Sequence, residues 1–458
     1  MKKSLPTLFL LTASVVAQQK GTQSREVHPL LPSQYCTRTA GCQTINSSVV
    51  LDSNYRWTHT TSGFTNCATN GVLSPEICPD PVQCGKNCAL EGADYQQTYG
   101  IRTEGDALTL NLYVSPNGEL QMSSPRVYLL ENSDTYRMFK LLNQEFTYDV
   151  DVSKVPCGVN GALYFSEMDA KGGQSDINPA GAAYGTGYCD AQCPRQLFLN
   201  GTANLENKGA CCNEMDIWEA NNAANAYTPH PCNITSIYGC TGTLCGGGGD
   251  DRYKSVCDAD GCDYNPYRQG NHNFYGPNMT VDTNKKFTVV TQFLTKDNSA
   301  DGPLSEIRRL YVQDGRVIEN SVTTVEGLDS TNSITDEYCT EQKDLFQSPQ
   351  AFSQQGGLEG MGDALGRGMV LAMSIWNDAG GRMKWLDGTY PPDADPSTAP
   401  GTGRGPCAAS TGDPATLMQD YPDARVIFSN IKSGEIGTTF SASNSTLNGR
   451  RYMGHKQF

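Results

Sequence analysis

The chain has 458 residues, of which 49 are acidic and 34 are Lys or Arg, and its formal net charge at pH 7 is −15. This acidic balance disfavours nucleic acid and anionic membranes as partners and suits an uncharged ligand. Beyond the amino terminus no stretch is apolar enough to span a bilayer as a helix, so the product is expected to be soluble.

The amino-terminal segment predicts export. Charged residues at positions 2 and 3 precede an apolar stretch at residues 8–16, which ends at Ala17. This order of charged, apolar and small residues is typical of a secretory signal peptide, which we predict over residues 1–17. The mature protein is therefore expected to be secreted and to begin near Gln18.

Strand signals dominate the rest of the chain. Short β-rich runs are separated by clusters of Gly, Pro, Asn and Ser, and Asp314-Gly315 predicts a tight hairpin turn. Helical periodicity is nearly absent, and the best short candidate is Leu358–Leu365. We predict an all-β protein, a large antiparallel β-sandwich with long loops. The predicted strands cover residues 107–114, 126–131, 145–152, 161–166, 286–293, 307–312, 369–376 and 424–431.

The cysteines predict an extensive disulfide framework. An exported chain with 18 cysteines can form nine disulfides. Cys211 and Cys212 are adjacent and cannot readily bond to each other, so they should tie their segment to two other places. The Gly/Pro/Asp-rich stretches 230–283 and 387–423 also contain cysteines, and we predict that they are stapled loops. A zinc site is the alternative for Cys78, Cys84, Cys88, Cys189 and Cys193, but the spacing and the compartment argue against it.

Three carboxylates carry the strongest functional signal: Glu214, Asp216 and Glu219 lie within six residues of one another. On a helix, Glu214 and Glu219 would differ by about 140° in azimuth and could not share a face. On a strand, Glu214 and Asp216 point the same way, but Glu219 has the wrong parity unless one extra residue forms a β-bulge. With that bulge the three acids would face one side of a sheet.

Two facing carboxyl groups about 5–5.5 Å apart are what a retaining glycoside hydrolase needs. A solvated strand face or a set of Ca²⁺ ligands is the alternative interpretation of the acids by themselves. Aromatic side chains support the first interpretation, because sugars present apolar faces to flat rings. Trp218 directly precedes Glu219 and should point into the core once the bulge has aligned the acids.

Several segments carry a family resemblance. The run Cys-Cys-Asn-Glu-Met-Asp-Ile-Trp-Glu-Ala-Asn at 211–221, followed by Thr-Pro-His-Pro-Cys at 228–232, resembles the active-site strand of the family seven glycoside hydrolases, the fungal retaining cellulases. The resemblance covers residues 27–438 and includes the segments 54–57, 184–190, 374–378 and 428–431. It implies a concanavalin-like jelly roll whose loops form a substrate cleft. It further implies a monomer that acts on cellulose or cello-oligosaccharides and requires neither a cofactor nor a metal.

The resemblance also implies residue roles. Glu214 matches the nucleophile, Glu219 the general acid/base, and Asp216 the auxiliary carboxylate that orients the nucleophile. His230 matches a histidine near the leaving-group subsite, with a structural histidine beside Cys232 as the alternative. The other matched positions are the stacking residues Trp57, Trp376 and Trp385, the hydroxyl-binding residues Tyr164, Asp190 and Gln192, and the product-binding residues Arg252, Asp260, Arg268 and Arg404.

The mode of action depends on loops. Many exo-acting members carry an extra disulfide next to Cys88, but Ala89 stands there in this chain. The segment between Asn200 and Cys211 is short, and glycines replace aromatic loop tips at 246–249 and 380–381. These features favour an open cleft, whereas the retained arginines favour release of cellobiose from chain ends. We predict an endo-acting β-1,4-glucanase, with an exo-acting cellobiohydrolase as the alternative and a non-catalytic glucan-binding protein as the distant alternative.

The domain organisation is predicted to be simple. No Ser/Thr/Pro-rich linker separates a second module, so residues 18–440 are expected to form one catalytic domain. Residues 441–458 are expected to form a short tail without a carbohydrate-binding module. The sequons are typical of a glycosylated surface and lie at Asn46, Asn200, Asn233, Asn278 and Asn444.

Overall fold

A computed structural model describes residues 18–441 of the chain. The predicted signal peptide therefore lies outside the described residues, as does all but the first residue of the predicted tail. Two large sheets, of ten and seven strands, contain most of the regular structure. Side chains from both sheets form one apolar core. The predicted β-sandwich is confirmed.

The ten-stranded sheet is antiparallel except at one pair. Ser33–Thr37 pairs in parallel with the last strand, Arg425–Glu435, and forms a hairpin with Gly41–Ile45. Ser333–Ile334 pairs with Leu304–Gln313. The main path of the sheet runs through Arg316–Glu319, Leu304–Gln313, Phe287–Thr295, Gln144–Asp151, Arg425–Glu435, Ala107–Asn111 and Ile101–Glu104.

The seven-stranded sheet carries the acids. Its third strand along the path, Val159–Ser166, is buried along its whole length because both faces are covered. Leu163 and Phe165 belong to the core between the sheets, and Ala162 and Tyr164 pack in a smaller apolar cluster on the opposite face. The path runs through Asn225–His230, Glu214–Ala220, Val159–Ser166, Met369–Asn377, Arg126–Leu130 and Ser48–Leu51, and Met138–Phe139 pairs with Met369–Asn377.

The predicted strand positions agree with the structure to within a few residues at most ends. The predicted turn at Asp314-Gly315 is also confirmed, because both residues have positive φ angles, 51° and 74°, and join two paired strands. The short pairs outside the sandwich are Gln19–Lys20 and Thr58–Thr60 with Cys88–Leu90, Ala68–Thr69 with Val72–Leu73, Tyr113–Val114 with Gln121–Met122, Phe198–Leu199 with Thr202–Ala203, Gly209–Cys211 with Tyr238–Cys240, and Tyr275–Gly276 with Val281–Asp282.

Helices are more numerous than the sequence predicts. The expected helix at Leu358–Leu365 is present as Gly357–Arg367. A second helix, Asp336–Leu345, begins where the Thr335 side chain accepts a hydrogen bond from the Tyr338 backbone N–H. It was missed because it carries few apolar residues. The other helices are Pro81–Asn87, Ala351–Gln354, Lys384–Asp387 and Pro414–Asp420, and the 3₁₀ turns are Ser53–Tyr55, Gly181–Tyr184, Gly242–Cys245 and Gly249–Lys254.

All 18 cysteines form disulfides, as the even count allowed. No cysteine of the chain is left free, so the zinc alternative is wrong. The predicted stapling of both long loops is confirmed, because each is tied to itself or to a distant element. The bridges are Cys36–Cys42, Cys67–Cys88, Cys78–Cys84, Cys157–Cys407, Cys189–Cys212, Cys193–Cys211, Cys232–Cys257, Cys240–Cys245 and Cys262–Cys339.

The surface agrees with two other expectations. The sequon residues Asn46, Asn200, Asn233 and Asn278 are exposed, and Asn444 lies outside the described residues. Within residues 18–441, none of the helices is both long enough and apolar enough to cross a membrane.

Candidate active site

The strand Glu214–Ala220, which we call the acid strand, contains the predicted β-bulge. In the pairing with Val159–Ser166, Leu163 lies opposite Trp218 and Tyr164 lies opposite Asp216. An advance of two residues along the acid strand thus matches an advance of one residue along its neighbour. On the other side, the register shifts by one residue between Asp216 and Glu219. Ile217 is the extra residue, since neither register includes it. The predicted bulge is confirmed.

The bulge sets which side chains share a face. Met215, Ile217, Trp218 and Ala220 belong to the core between the sheets. Trp218 is fully buried, as predicted from its position beside Glu219. The side chains of Glu214, Asp216 and Glu219 therefore lie on the opposite face of the seven-stranded sheet. One strand thus presents three carboxyl groups on one surface.

Glu214 is held by a loop that two disulfides fix in place. Its Oε2 accepts a hydrogen bond of 3.1 Å from the backbone N–H of Ala191. Ala191 lies between Cys189 and Cys193, which are bonded to Cys212 and Cys211 at the start of the acid strand. The two adjacent cysteines therefore do tie the strand to two other positions, as predicted. Both positions belong to one short loop, whose backbone amide is aimed at Glu214.

Glu219 is held from the neighbouring strand. Asn160 donates a hydrogen bond of 2.9 Å from Nδ2 to Oε1 of Glu219, and its own Oδ1 accepts from the backbone N–H of Ala220. Asn160 lies opposite Trp376 in the next strand pair. Asn160 thus bonds both the side chain of Glu219 and the backbone of the acid strand.

His230 lies directly opposite Glu214 in the strand pair and contacts Asp216. Its Nε2 is 3.0 Å from Oδ2 of Asp216. Its Nδ1 is 2.9 Å from the carbonyl oxygen of Asp258. Both ring nitrogens face acceptors, so both donate when the ring is protonated. The ring therefore holds both the loop at Asp258 and a carboxylate of the acid strand, and its place near the leaving-group subsite stays a prediction.

The electrostatics favour protonated acids. Burial, together with the charges of Asp216 and Asp190, raises the pKa of Glu214 well above its usual range. Burial and the charge of Asp216 raise the pKa of Glu219 to about 8. Burial alone would lower the pKa of His230, but the hydrogen bond to Asp216 and the negative charges around it raise that pKa to about 9. The site can therefore hold a proton on a carboxyl group at neutral pH.

These groups suit proton transfer better than metal binding. Ligand atoms of Glu214, Asp216 and His230 all lie within 4.8 Å of one another, which is close enough for a metal ion. However, a metal ion would have to displace the proton that the raised pKa of His230 favours on its ring.

A chain of hydrogen bonds leads away from the acids. The hydroxyl groups of Tyr164 and Tyr188 are 3.0 Å apart, and Tyr188 donates to Oδ2 of Asp190 at 2.6 Å. Burial raises the pKa of Asp190, although the hydrogen bond from Tyr188 opposes the shift. The Gln192 backbone N–H donates to Oδ1 of Asp190 at 2.8 Å. The structure thus brings together the three predicted hydroxyl-binding residues and adds Tyr188.

The predicted product-binding residues form two ion-pair groups. Arg252 pairs with Asp260, and Arg252 and Gln192 both donate to the carbonyl oxygen of Ala259, at 2.8 and 2.6 Å. Because Gln192 is one of the predicted hydroxyl-binding residues, the shared carbonyl oxygen of Ala259 links this group to them. We call it the Arg252 group.

In the second group, Asp263 lies between two arginines. Arg268 donates to its Oδ1, and Nη1 of Arg404 is 3.9 Å from its Oδ2. Burial opposes ionisation of Asp263, but Arg268 and Arg404 outweigh it and lower the pKa of Asp263. Burial and the charge of Arg268 lower the pKa of Arg404 to about 10. We call these three residues the Asp263 group.

The stacking candidates are partly accessible. Trp376 and Trp385 are half-buried, with ring centroids 6.1 Å apart and planes inclined by 31°. Trp57 is 42% exposed and donates from Nε1 to Oδ1 of Asn66 at 2.7 Å. All three therefore keep ring surface available, whereas Trp218 does not.

Sequence reasoning missed Asn160, Tyr188 and Asp263. Tyr188 and Asp263 are close in sequence to predicted residues, Asp190 and Asp260, so proximity could have suggested them. Nothing in the sequence around Asn160 indicates its contact with Glu219, because that contact depends on strand pairing.

A sandwich with two glutamates and an aspartate on one bulged strand, flanked by aromatic rings, has the arrangement of a glycoside hydrolase. Residues 20–440 match the sequence model of Glycosyl hydrolase family 7. The chain is also 53% identical over 437 residues to a probable endo-β-1,4-glucanase of Aspergillus clavatus, a match that covers 95% of this chain and 97% of that protein. The chain belongs to glycosyl hydrolase family 7 and is an enzyme.

Solved structures agree with this assignment. The fold is similar to a family 7 cellobiohydrolase of Daphnia pulex, with a TM-score of 0.87, 44% identity and coverage of 92% of this chain and 100% of that chain. It is also similar to an endocellulase of Humicola insolens, with a TM-score of 0.82, 43% identity and coverage of 92% and 100%. The alternative of a non-catalytic glucan-binding protein is wrong.

Proposed function

We propose that this enzyme is a secreted, retaining endo-β-1,4-glucanase that hydrolyses internal bonds of cellulose by double displacement. The observation that carries the proposal is the bulge at Ile217, which brings Glu219 onto the face of Glu214 and Asp216. Without it, the two glutamates would point to opposite sides of the sheet. With it, one strand supplies both carboxyl groups of a retaining mechanism.

In the first step, a carboxylate oxygen of Glu214 bonds to the anomeric carbon while the bond from that carbon to the glycosidic oxygen breaks. Glu219 gives its proton to the departing oxygen. Its pKa of about 8 keeps it protonated at the start of the step. The Ala191 N–H hydrogen-bonds the charged form of Glu214, which opposes the rise of its pKa and positions the carboxylate for attack.

In the second step, the carboxylate of Glu219 takes a proton from water, and the water oxygen bonds to the anomeric carbon. The ester bond between that carbon and Glu214 breaks as the bond to the water oxygen forms, which restores both groups and the configuration of the sugar. Asp216 and His230 support this exchange as a buried charged pair beside both glutamates.

The proposed cleft follows from the residues around the acids. Trp57, Trp376 and Trp385 offer ring faces to glucose units. Tyr164, Asp190 and Gln192 would bind hydroxyl groups near the cleavage point. The Arg252 group and the Asp263 group would bind the sugars on the product side. We propose that residues 18–440 act as one catalytic domain, and as a monomer.

The endo mode is supported by the short segment after Asn200, the glycine loop tips and the 53% identity to a protein named as an endo-β-1,4-glucanase. One observation favours exo action, namely the retained arginines of the two ion-pair groups. Both modes use the same acids, so the chemistry does not separate them.

Two measurements test the proposal. Glu214→Gln should remove cellulose hydrolysis, and undiminished activity would overturn the assignment of the nucleophile. The endo mode predicts a fast loss of viscosity of carboxymethyl cellulose relative to the reducing ends released. A slow viscosity loss, with cellobiose as the dominant early product, would favour the cellobiohydrolase instead.

A further inference from the structure

The bulge that aligns the acids leaves a backbone group in need of a partner. Ile217 belongs to neither strand register, so its carbonyl group lies outside the regular ladder. Its side chain is fully buried between the sheets. A buried carbonyl group without a hydrogen bond costs free energy. The bulge therefore needs a donor inside the core.

Arg309 supplies that donor from the opposite sheet. It lies on the strand Leu304–Gln313 and is fully buried. Its Nη2 donates to the carbonyl oxygen of Ile217, and its Nε donates to the hydroxyl of Thr291 at 3.2 Å. Thr291 is the cross-strand partner of Arg309. The guanidinium group thus joins the ten-stranded sheet to the bulge of the acid strand.

The surroundings of Arg309 are poor for a charge. The guanidinium carbon lies 4.3 Å from the ring centre of Tyr227, 5.8 Å from that of Trp218 and 5.9 Å from that of Tyr311. Among the described residues it forms no ion pair, and its hydrogen bonds to Thr291 and Ile217 use one hydroxyl and one carbonyl oxygen. Its Nη1 has no hydrogen-bond partner there.

Packing alone does not account for this arginine. Burying a charge without an ion pair is costly, and replacement by an apolar residue of similar size is often neutral or stabilising. Cation–π attraction offsets part of the cost of burying the charge. It does not explain why the arginine stands at this position, since other positions in the core also lie beside aromatic rings. The feature that requires a donor at this point is the carbonyl group of the bulge.

We propose that Arg309 is a positioning residue for catalysis, which holds the bulge at Ile217 and thereby sets the position of Glu219 relative to Glu214. The inference rests on the proposed function of Glu219 as general acid/base. Arg309 itself touches no substrate. Its loss should let the bulge relax, and a misplacement of about 1 Å can cost roughly 100-fold in rate.

The test compares two substrates of the full-length enzyme. Cellotetraose releases a sugar that needs a proton from Glu219, whereas 2,4-dinitrophenyl β-cellobioside releases a phenolate that needs none. For Arg309→Met we expect kcat/KM to fall about 100-fold on cellotetraose but less than about 3-fold on the dinitrophenyl substrate. Equal losses on both substrates, or no loss, would overturn the proposal.

Arg137→Met is the matched control. Arg137 is also a buried arginine; it donates to the hydroxyls of Ser33 and Ser433 and lies over the ring of Phe139. Its removal should change the melting temperature without a difference between the two substrates. A selective loss in this variant as well would show that any buried arginine has the effect, and would overturn the proposal.

Two further variants complete the experiment. If Arg309→Met does not fold, Arg309→Lys should, and we expect a selective loss of about 10-fold, since one ammonium group cannot span both acceptors. Equal changes on the two substrates in that variant would reject the proposal. Glu219→Ala tests the proposed function separately. If Glu219→Ala lacks the selective loss, the acid/base assignment fails; if it shows the loss and the Arg309 variants do not, only the positioning role fails.

Discussion

The ring of His230 is held between two acceptors, Asp216 on the acid strand and the backbone of Asp258. The contact between Nε2 of His230 and Oδ2 of Asp216 is 3.0 Å, and the two side chains are only 7% and 9% exposed. Since Nδ1 also faces a carbonyl oxygen, the geometry favours the doubly protonated ring. The candidate active site is therefore built around a buried positive charge flanked by acids.

This arrangement predicts that the fold is more stable at pH 5 than at pH 9. The pKa of Glu219 rises from an ordinary 4.5 to about 8, so its proton stabilises the fold below pH 4.5 and that stability is lost as the pH rises towards 8. The pKa of His230 rises from 6.5 to about 9, so its contribution is lost as the pH rises from 6.5 towards 9. Urea unfolding should give a lower free energy of unfolding at pH 9 than at pH 5, by a few kcal/mol in order of magnitude.

Glu219→Gln serves as the control for the pH effect, because glutamine cannot ionise. We expect this variant to be more stable than the wild type at pH 8, and its stability to depend less on pH between 4.5 and 8. A wild-type enzyme whose free energy of unfolding rises across this range would contradict the assigned pKa shifts.

Asn160 should tune the pH dependence of catalysis. Its amide donates to Glu219, which favours the charged carboxylate. Asn160→Ala removes that donor, so the pKa of Glu219 should rise and the alkaline limb of the kcat/KM profile should move to higher pH by roughly half to one unit. Asn160→Asp adds a like charge and should move the limb in the same direction. A shift to lower pH in either variant would show that Glu219 does not set this limb.

The disulfide between Cys193 and Cys211 should matter for activity as well as for stability. Replacing both cysteines with serine frees one end of the loop that carries Ala191. We expect a loss of about 3 kcal/mol in the free energy of unfolding and roughly 10-fold in kcat. The measurements are urea unfolding and hydrolysis of cellotetraose at a temperature where the variant is folded.

The matched control for that disulfide is the pair Cys36 and Cys42, which closes a hairpin on the ten-stranded sheet. Its double serine variant should lose stability but keep its kcat. If both disulfide variants keep kcat, the bridge between Cys193 and Cys211 does not position the Ala191 N–H for the reaction.

The Asp263 group should control inhibition by product. Arg404→Met removes one cation that faces Asp263 and does not alter the proposed catalytic acids. If the group binds product sugars, the inhibition constant for cellobiose should rise about 10-fold with little change in kcat on cellotetraose. The measurement is the initial rate at increasing cellobiose concentration. Unchanged inhibition would remove this group from the proposed product site.

Much of the fold was predictable because the sandwich depends on local patterns. Short alternating runs bounded by Gly, Pro and Asn predicted the strands, and Asp314-Gly315 predicted the hairpin. The helix Asp336–Leu345 was not predictable in the same way. Its sequence has a weak apolar stripe, and the disulfide from Cys339 to Cys262 ties it to a distant loop.

The candidate site also has a part that was predictable from local patterns and a part that was not. Successive side chains on a strand alternate between its two faces. This alternation was enough to predict a bulge between Asp216 and Glu219 and to place Trp218 in the core. Asn160 and Arg309 could not be found that way. Each contacts the acid strand from a different strand that is distant in sequence. The residues around Asn160 and Arg309 therefore give no sign of these contacts.

By itself, then, the sequence determined the acids, the bulge they require and the family to which the chain belongs. Only the tertiary structure decided what holds each acid: a disulfide-bonded loop for Glu214, a histidine for Asp216 and a neighbouring strand for Glu219. The physical reason is that side-chain alternation is a property of one strand. Hydrogen bonds, burial and the resulting pKa shifts depend on which segments the fold brings together.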